Sequence, residues 1–326
     1  CSGSGTGSAE ALVNRSKLSV SDQGGSLNLI HAVEANSGCA LVVQGELGAA
    51  GMRSLLEADG NHASAMLCNA TTCSVFASDL SAHGGDAEAL DLRNADARVF
   101  GCRLTADGTG LNIGIGARSS RALLNSNHVL ADCGSGNRAL VVDGGAPRIV
   151  NSILRAEGCA SGTRSIALEV IDGTPEVHSN LLWAAALDTA SGPELYALTI
   201  DCPLDPFCGG VYVNNVLSTD GGESWLVFAH DCQPAGEANV LVDDGNGADR
   251  IDFDGDEFGS DYNPILETSC YAFGWDGVPE LPLSAASVVL HPDCASIGIA
   301  LRAPMRDYTG RMRAAPPNVG PFAVMP

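Results

Sequence analysis

Five carboxylates crowd one short stretch of this 326-residue chain: Asp252, Asp254, Asp256, Glu257 and Asp261, interspersed with Gly255 and Gly259 and preceded by Asp243-Asp244. Acidic side chains in a glycine-containing loop are how proteins surround Ca2+, a hard cation that takes roughly six to eight oxygen ligands in irregular geometry. Asp252, Asp254 and Asp256 match the first three ligands of a helix–loop–helix calcium loop. Glu257 stands where the sharp-turn glycine belongs, however, and Asn263 where the bidentate Glu belongs. A solvated acidic loop is the competing account. Calcium bound here would brace a long loop rather than take part in chemistry.

The other acids carry a turn signature. Asp59, Asp107, Asp143, Asp172 and Asp220 each precede a glycine, a pair that suits tight turns because Gly accepts positive φ and Asp bonds its local backbone. His62 and His83 could share one edge of the fold, and His128 and His178 fit turn or core-edge positions. No catalytic residue is assigned.

Cysteine usage points to an oxidising compartment. Twelve cysteines are unusual for a reducing cytosol, and the Cys68–Cys73 and Cys202–Cys208 spacings suit short disulfide-closed loops. No C-x-x-C pair occurs and the histidines do not flank the cysteines, which argues against zinc. The chain opens on Cys1 followed by Ser2-Gly3-Ser4-Gly5-Thr6-Gly7-Ser8. This resembles a mature bacterial lipoprotein, whose first cysteine carries lipid and precedes a flexible tether; a start that happens to fall at a cysteine is the alternative. With Cys1 acylated, eleven cysteines remain and at least one is unpaired. Cys102, beside Leu104, is the candidate for a small apolar residue of the interior.

Aromatic residues concentrate late. Twelve of the sixteen lie between Trp183 and Trp275, which makes Trp183, Tyr212, Trp225, Tyr262 and Trp275 the candidates for stacking against sugars. Packing of longer loops is the competing role for each ring.

The elements that must position these residues form a repeat. An apolar pair, a small or acidic turn, a glycine and a second apolar run recur, with second apolar residues at Leu56, Leu80, Leu104, Leu130, Leu154, Leu182 and Leu217. The steps are 24, 24, 26, 24, 28 and 35 residues, the mark of solenoid coils lengthened by insertions. The runs are short, rich in branched aliphatics and bounded by Gly and Asp-Gly, so they predict strands; no helical stripe is present. Asn127, Asn151 and Asn214, with Ser179, fall three residues before their anchors. They are expected to stack at a turn and bond from coil to coil.

The tail, Arg306-Asp307-Tyr308-Thr309-Gly310-Arg311 and Asn318-Val319-Gly320-Pro321-Phe322-Ala323-Val324, resembles the closing segment of right-handed parallel β-helix repeat proteins, D-x-x-G-x-x-R followed by D-I-G-x-x-E. The resemblance covers roughly residues 33 to 326. Cys294-Ala295-Ser296-Ile297-Gly298 and Asn318-Val319-Gly320-Pro321-Phe322-Ala323 depart from the pattern of that family. It implies an all-β right-handed parallel β-helix with coils of about 24 residues and longer C-terminal loops, closed by a segment that folds over its open end. Parallel β-helices include polysaccharide lyases and glycoside hydrolases. Of the N-T-D, D-D, G-H-G and R-I-K segments of polygalacturonases, only Asp243-Asp244 is present, outside the coils.

The expected organisation is a tether over 1–10, coils over 11–240, and an acidic loop with a closing segment over 241–326. The formal charge of −22 argues against nucleic acid and anionic membrane surfaces as partners, because both require a basic patch. The expected molecule is a non-enzymatic extracytoplasmic lipoprotein, held at an outer membrane or cell surface through Cys1, that serves as an envelope structural module or as a binding module for a polysaccharide or a protein partner. An enzyme acting on acidic polysaccharide and a subunit of a larger homo- or hetero-assembly are the alternatives. Calcium is the one cofactor considered.

Overall fold

The computed structural model describes residues 55–242 apart from 160–162, 187–191, 205–206 and 222, together with 303–308, 312–313 and 320–321; strand backbone is described in addition at 8–14, 18–20, 28–33, 37–44, 49–52, 54, 250–253, 265–266, 271–272 and 289–290. Every strand pairing within the coils is parallel, and each joins a strand to its counterpart one coil away. The fold is a parallel β-helix.

Each coil contributes to three ladders. The first runs through Arg103–Gly108, His128–Asp132, Ile153–Gly158, Leu181–Ala186 and Val216–Asp220. The second runs through Gly136–Gly145, Arg164–Ile171, Glu194–Asp201 and Glu223–His230. The third runs through Arg148–Val150, Glu176–His178 and Val211–Val213. Longer strands such as Asp79–Arg93 and Leu111–Asn125 continue around a corner and serve two ladders.

Alternation of side chains along a strand puts the same interior positions above one another in successive coils. In the first ladder Leu56, Leu80, Leu104, Val129, Leu154, Leu182, Leu217 and Leu241 form one interior column. Ala58, Ala82, Ala106, Ala131, Ala156 and Ala184 form the next, and no member of either column is more than 2 % exposed. A bulky column beside a small one fills a narrow coil, and each buried Leu contributes about 1.5–3 kcal/mol. The third ladder adds Val75, Val99, Leu124, Ile149 and Val177 from its own side.

The register corrects the fourth anchor, which is Val129 and not Leu130. The steps are therefore 24, 24, 25, 25, 28, 35 and 24 residues. The two long coils place their extra residues at corners, after Gly158, after Ala186 and after Asp201, so the ladders keep their register.

The turn between the third and first ladders has two residues. The first adopts positive φ in coil after coil: Ala77, Gly101, Ser126, Asn151, Ser179, Asn214 and Ala238, at 44–61°. The second points inward and builds the hydrogen-bond stack. The Cys102 N–H donates to Asn127 Oδ1 at 3.0 Å, Asn127 N–H to Ser152 Oγ at 3.2 Å, Ser152 N–H to Asn180 Oδ1 at 2.8 Å, Asn180 N–H to Asn215 Oδ1 at 2.9 Å, and Asn215 N–H to Asn239 Oδ1 at 3.0 Å. Of the residues expected to stack, Asn127 does. Asn151, Asn214 and Ser179 instead hold the left-handed turn position, which asparagine tolerates unusually well.

The described part of the tail lies along this turn, on the flank of the coils. Asn151 Nδ2 donates to the Arg306 carbonyl at 2.8 Å, Arg313 Nη2 donates to Asn151 Oδ1 at 2.9 Å and to the Gly320 carbonyl at 2.8 Å, and Gly320 N–H donates to the Asn214 carbonyl at 2.6 Å. The left-handed turn directs the Asn151 side chain outward, and the tail takes up both of its ends. Tyr308 is buried there, and a cavity of about 670 Å³ lies between the tail and Asn125, Ser126 and Asn151.

Three disulfides occur among the described residues. Cys68–Cys73 and Cys202–Cys208 close the expected short loops, and Cys133–Cys159 joins adjacent coils. Cys102 is a free, fully buried thiol, as expected, and Cys232 is a second free one.

Candidate functional site

The densest set of functional side chains lies on the outer face of the second ladder. In a strand whose alternate residues point outward, one face position recurs at the coil spacing of about 4.8 Å, so outward residues form straight columns. At one end of this face stand Glu88 and Asp91 of one coil and Arg118 of the next. Arg118 Nη1 lies 2.6 Å from both Glu88 Oε1 and Asp91 Oδ1, and Arg93 Nε donates to Asp91 Oδ2 at 2.7 Å. Gly116, in register with Asp91, makes the room: a Cβ there would collide with Glu88 Oε1 and Arg118 Nη1. Burial, with the Asp91 charge adding to it and Arg118 opposing, pushes Glu88 up to about 7. Burial works against the Arg118 charge, but Glu88 and Asp91 outweigh it and raise its pKa.

Further along the same face Arg138 Nε pairs with Glu169 Oε2 of the next coil. Then comes an aromatic stack. The Arg164 guanidinium lies 4.5 Å over the Tyr196 ring, Trp225 stacks on Tyr196 at 4.7 Å and 6°, and Phe228 meets it edge-on at 5.9 Å. The Tyr196 hydroxyl donates to Glu194 Oε2 at 3.2 Å. Tyr196 and Trp225 are register partners, so ladder spacing itself sets their separation. Stacked in this way, the rings present edges rather than faces to solvent. Between Glu169 and Phe228 in the same column, Thr199 Oγ1 is buried without a hydrogen-bond partner among the described residues, as is Arg164 Nε.

The expected site residues are placed as follows. Trp225 belongs to this strip and is half-buried. Trp183 is 1 % exposed beneath the Arg155 guanidinium, 4.2 Å away, and Tyr212 is fully buried inside the coils, so neither offers a ring to a ligand. Both are large apolar bodies that a solenoid widened by insertions uses for packing. Tyr262 and Trp275, the candidate calcium residues Asp254, Asp256, Glu257 and Asp261, and Cys1 all lie outside the described residues, and Asp252 is described as strand backbone only. The carboxylate–guanidinium strip was not anticipated. Its partners sit 27–31 residues apart, one coil plus a small offset, and no local motif betrays them.

A second cluster was also missed. Asp132, Cys133 and Cys159 bring a carboxylate oxygen and two sulfurs within 4.8 Å of one another at the corner between the first and second ladders. Asp107 and Glu157 occupy the register positions on either side of Asp132.

No protein-family model, curated protein or solved structure matches this chain.

Proposed function

We propose that this chain is a non-enzymatic, extracytoplasmic binding module that holds a hydroxyl-rich polymer, a polysaccharide, along the outer face of its second ladder. The observation that carries this is the charge-balanced strip itself. Four of the seventeen basic residues of a strongly acidic chain, Arg93, Arg118, Arg138 and Arg164, stand on or at the start of this face beside Glu88, Asp91, Glu169 and Glu194. Such a surface presents fixed donors and acceptors with little net charge, which suits hydroxyls better than phosphates or a charged peptide. The positions of this face recur at coil spacing while their side chains differ from coil to coil, and the resulting long regular surface suits an extended polymer.

A binder is favoured over a hydrolase because Asp91 is 2 % exposed and, like Glu88, is engaged by Arg118, so this carboxylate pair leaves little space for an attacking water. The three disulfides support an oxidising compartment. Attachment to an outer membrane or cell surface through lipid on Cys1, and calcium in the acidic stretch, complete the proposal on sequence grounds.

Affinity electrophoresis of the protein through gels carrying neutral or acidic polysaccharides tests the reading. Retardation by a neutral polysaccharide is expected, weakened about tenfold by Trp225→Ala or Arg138→Ala with unchanged circular dichroism. A panel that retards nothing, or variants retarded like the parent, would overturn it. One observation favours a protein partner instead: Leu204 and Phe207, 86 % and 78 % exposed, project from the loop closed by Cys202–Cys208.

A further inference from the structure

The Asp132 corner combines three features that the polymer-binding strip does not use. Cys133 and Cys159 are 26 residues apart, one coil plus one residue, and each lies in the corner immediately after its first-ladder strand, which ends at Asp132 in one coil and at Gly158 in the next, so two rigid strand ends bring the sulfurs together. Asp132 Oδ1 lies 3.9 Å from Cys159 Sγ, and all three donor atoms fit within 4.8 Å. The Cys133 N–H donates to the Glu157 carbonyl at 3.2 Å, which fixes the turn that carries the first sulfur, with Cys133 at φ 57°.

The carboxylates around this corner crowd one another. Asp107, Asp132 and Glu157 follow in register through three coils, and Arg155 is paired with Glu157. A cation would relieve this crowding.

We propose that the reduced chain binds a borderline-soft divalent cation of the zinc class through Cys133, Cys159 and Asp132, and that the Cys133–Cys159 disulfide is the state that closes this site. A thiol or phosphine reductant delivers two electrons and the solvent two protons, breaking the S–S bond to give two thiols. Metal binding then forms two metal–sulfur bonds and releases the two thiol protons. Two thiolates and one carboxylate are a fitting donor set for zinc, which takes four ligands and accepts water as the fourth. The usual sequence cue for such a site is a pair of cysteines a few residues apart. In a solenoid, one coil of separation brings ligands equally close.

The full-length protein is reduced with a phosphine, freed of reductant without oxygen, and titrated with Zn2+ against a chromophoric chelator and with Co2+ for the thiolate-to-cobalt absorption. Because the other cysteines are also reduced, the comparison is with Cys133→Ser/Cys159→Ser. Reduced wild type should bind about one equivalent more than that variant, and the oxidised protein should lack this equivalent. Asp132→Asn, which keeps both sulfurs and alters a half-buried side chain, should bind the same equivalent at least tenfold more weakly. Equal stoichiometry in wild type and the double serine variant, or unaltered affinity in Asp132→Asn, would mean a structural disulfide only and would overturn the proposal. If the double serine variant does not fold, the Asp132→Asn comparison still decides.

Discussion

Removing the Asn180 side chain should open the interior hydrogen-bond stack at its centre. Asn180 Oδ1 accepts from the Ser152 N–H at 2.8 Å, and Asn180 Nδ2 donates to the Ile149 carbonyl and to Asn215 Oδ1, each at 3.0 Å. The residue is fully buried, so in Asn180→Ala no water replaces these partners. Two backbone groups, one donor and one acceptor, lose them at about 1–3 kcal/mol each, for an expected loss of about 4 kcal/mol. Asn180→Ser separates the terms. In the next coil toward the N-terminus Ser152 Oγ already accepts from the Asn127 N–H at 3.2 Å, so a serine at 180 can keep the acceptor and lose only the donor, at roughly half the cost. Urea unfolding followed by circular dichroism gives the stability differences, and amide exchange at Ser152 reports the lost partner directly. An Asn180→Ala protein within about 1 kcal/mol of wild type, or an Asn180→Ser protein as damaged as the alanine variant, would refute the assignment of this column as a structural stack.

Two other consequences follow from burial. Glu88 is raised from 4.5 to about 7 by desolvation first, so between those values the folded chain holds more protons than the unfolded one. Stability should therefore fall as pH rises through that window, by on the order of 2–3 kcal/mol from this group. Subtracting urea midpoints of Glu88→Gln from those of wild type between pH 4 and 8 isolates the effect, and a flat or rising difference would refute it. Burial also pushes the Cys102 thiol up to about 12, leaving almost no thiolate at neutral pH. Iodoacetamide should leave Cys102 unmodified in the native protein and alkylate it in urea, as read by peptide mass spectrometry; rapid native labelling would contradict the packing described.

The coil was legible in the sequence because one of its faces is monotonous: a Leu two residues before an Ala marks the interior of the first ladder in most coils. The one misplaced anchor shows where that signal is ambiguous. Val129 and Leu130 are both apolar, and only pairing with Leu104 and Leu154 decides which points inward. Asn127 apart, the expected stack residues Asn151, Ser179 and Asn214 lie one position before the true stack for a related reason. Both residues of each two-residue turn favour Asn, the first for its positive φ and the second for its hydrogen bonds, and Asn214-Asn215 carries one in each role. The strip was illegible because its chemistry belongs to pairs and not to residues. Arg118 looks like any surface arginine until the ladder sets it between Glu88 and Asp91. Tyr212 and Trp225 are indistinguishable by type, yet one fills the interior and the other stands outside.

The ladders also constrain where new chemistry can arise in such a chain. A residue inserted within a strand would shift every side chain beyond it to the opposite face and break pairing with two neighbouring coils. Insertions therefore belong at corners, and the coils that span 28 and 35 residues obey this. Faces can change only by substitution in place, which favours columns of complementary side chains such as Arg138 with Glu169 or Tyr196 with Trp225. Corners can gain whole loops and crosslinks, as at Cys202–Cys208 and Cys133–Cys159. A polymer laid along the axis can use the faces, whose positions persist through coils of every length; a compact ligand such as a cation needs donors from different directions, and a corner between two ladders supplies them. The strip and the Asp132 corner thus suit different classes of ligand for the same geometric reason.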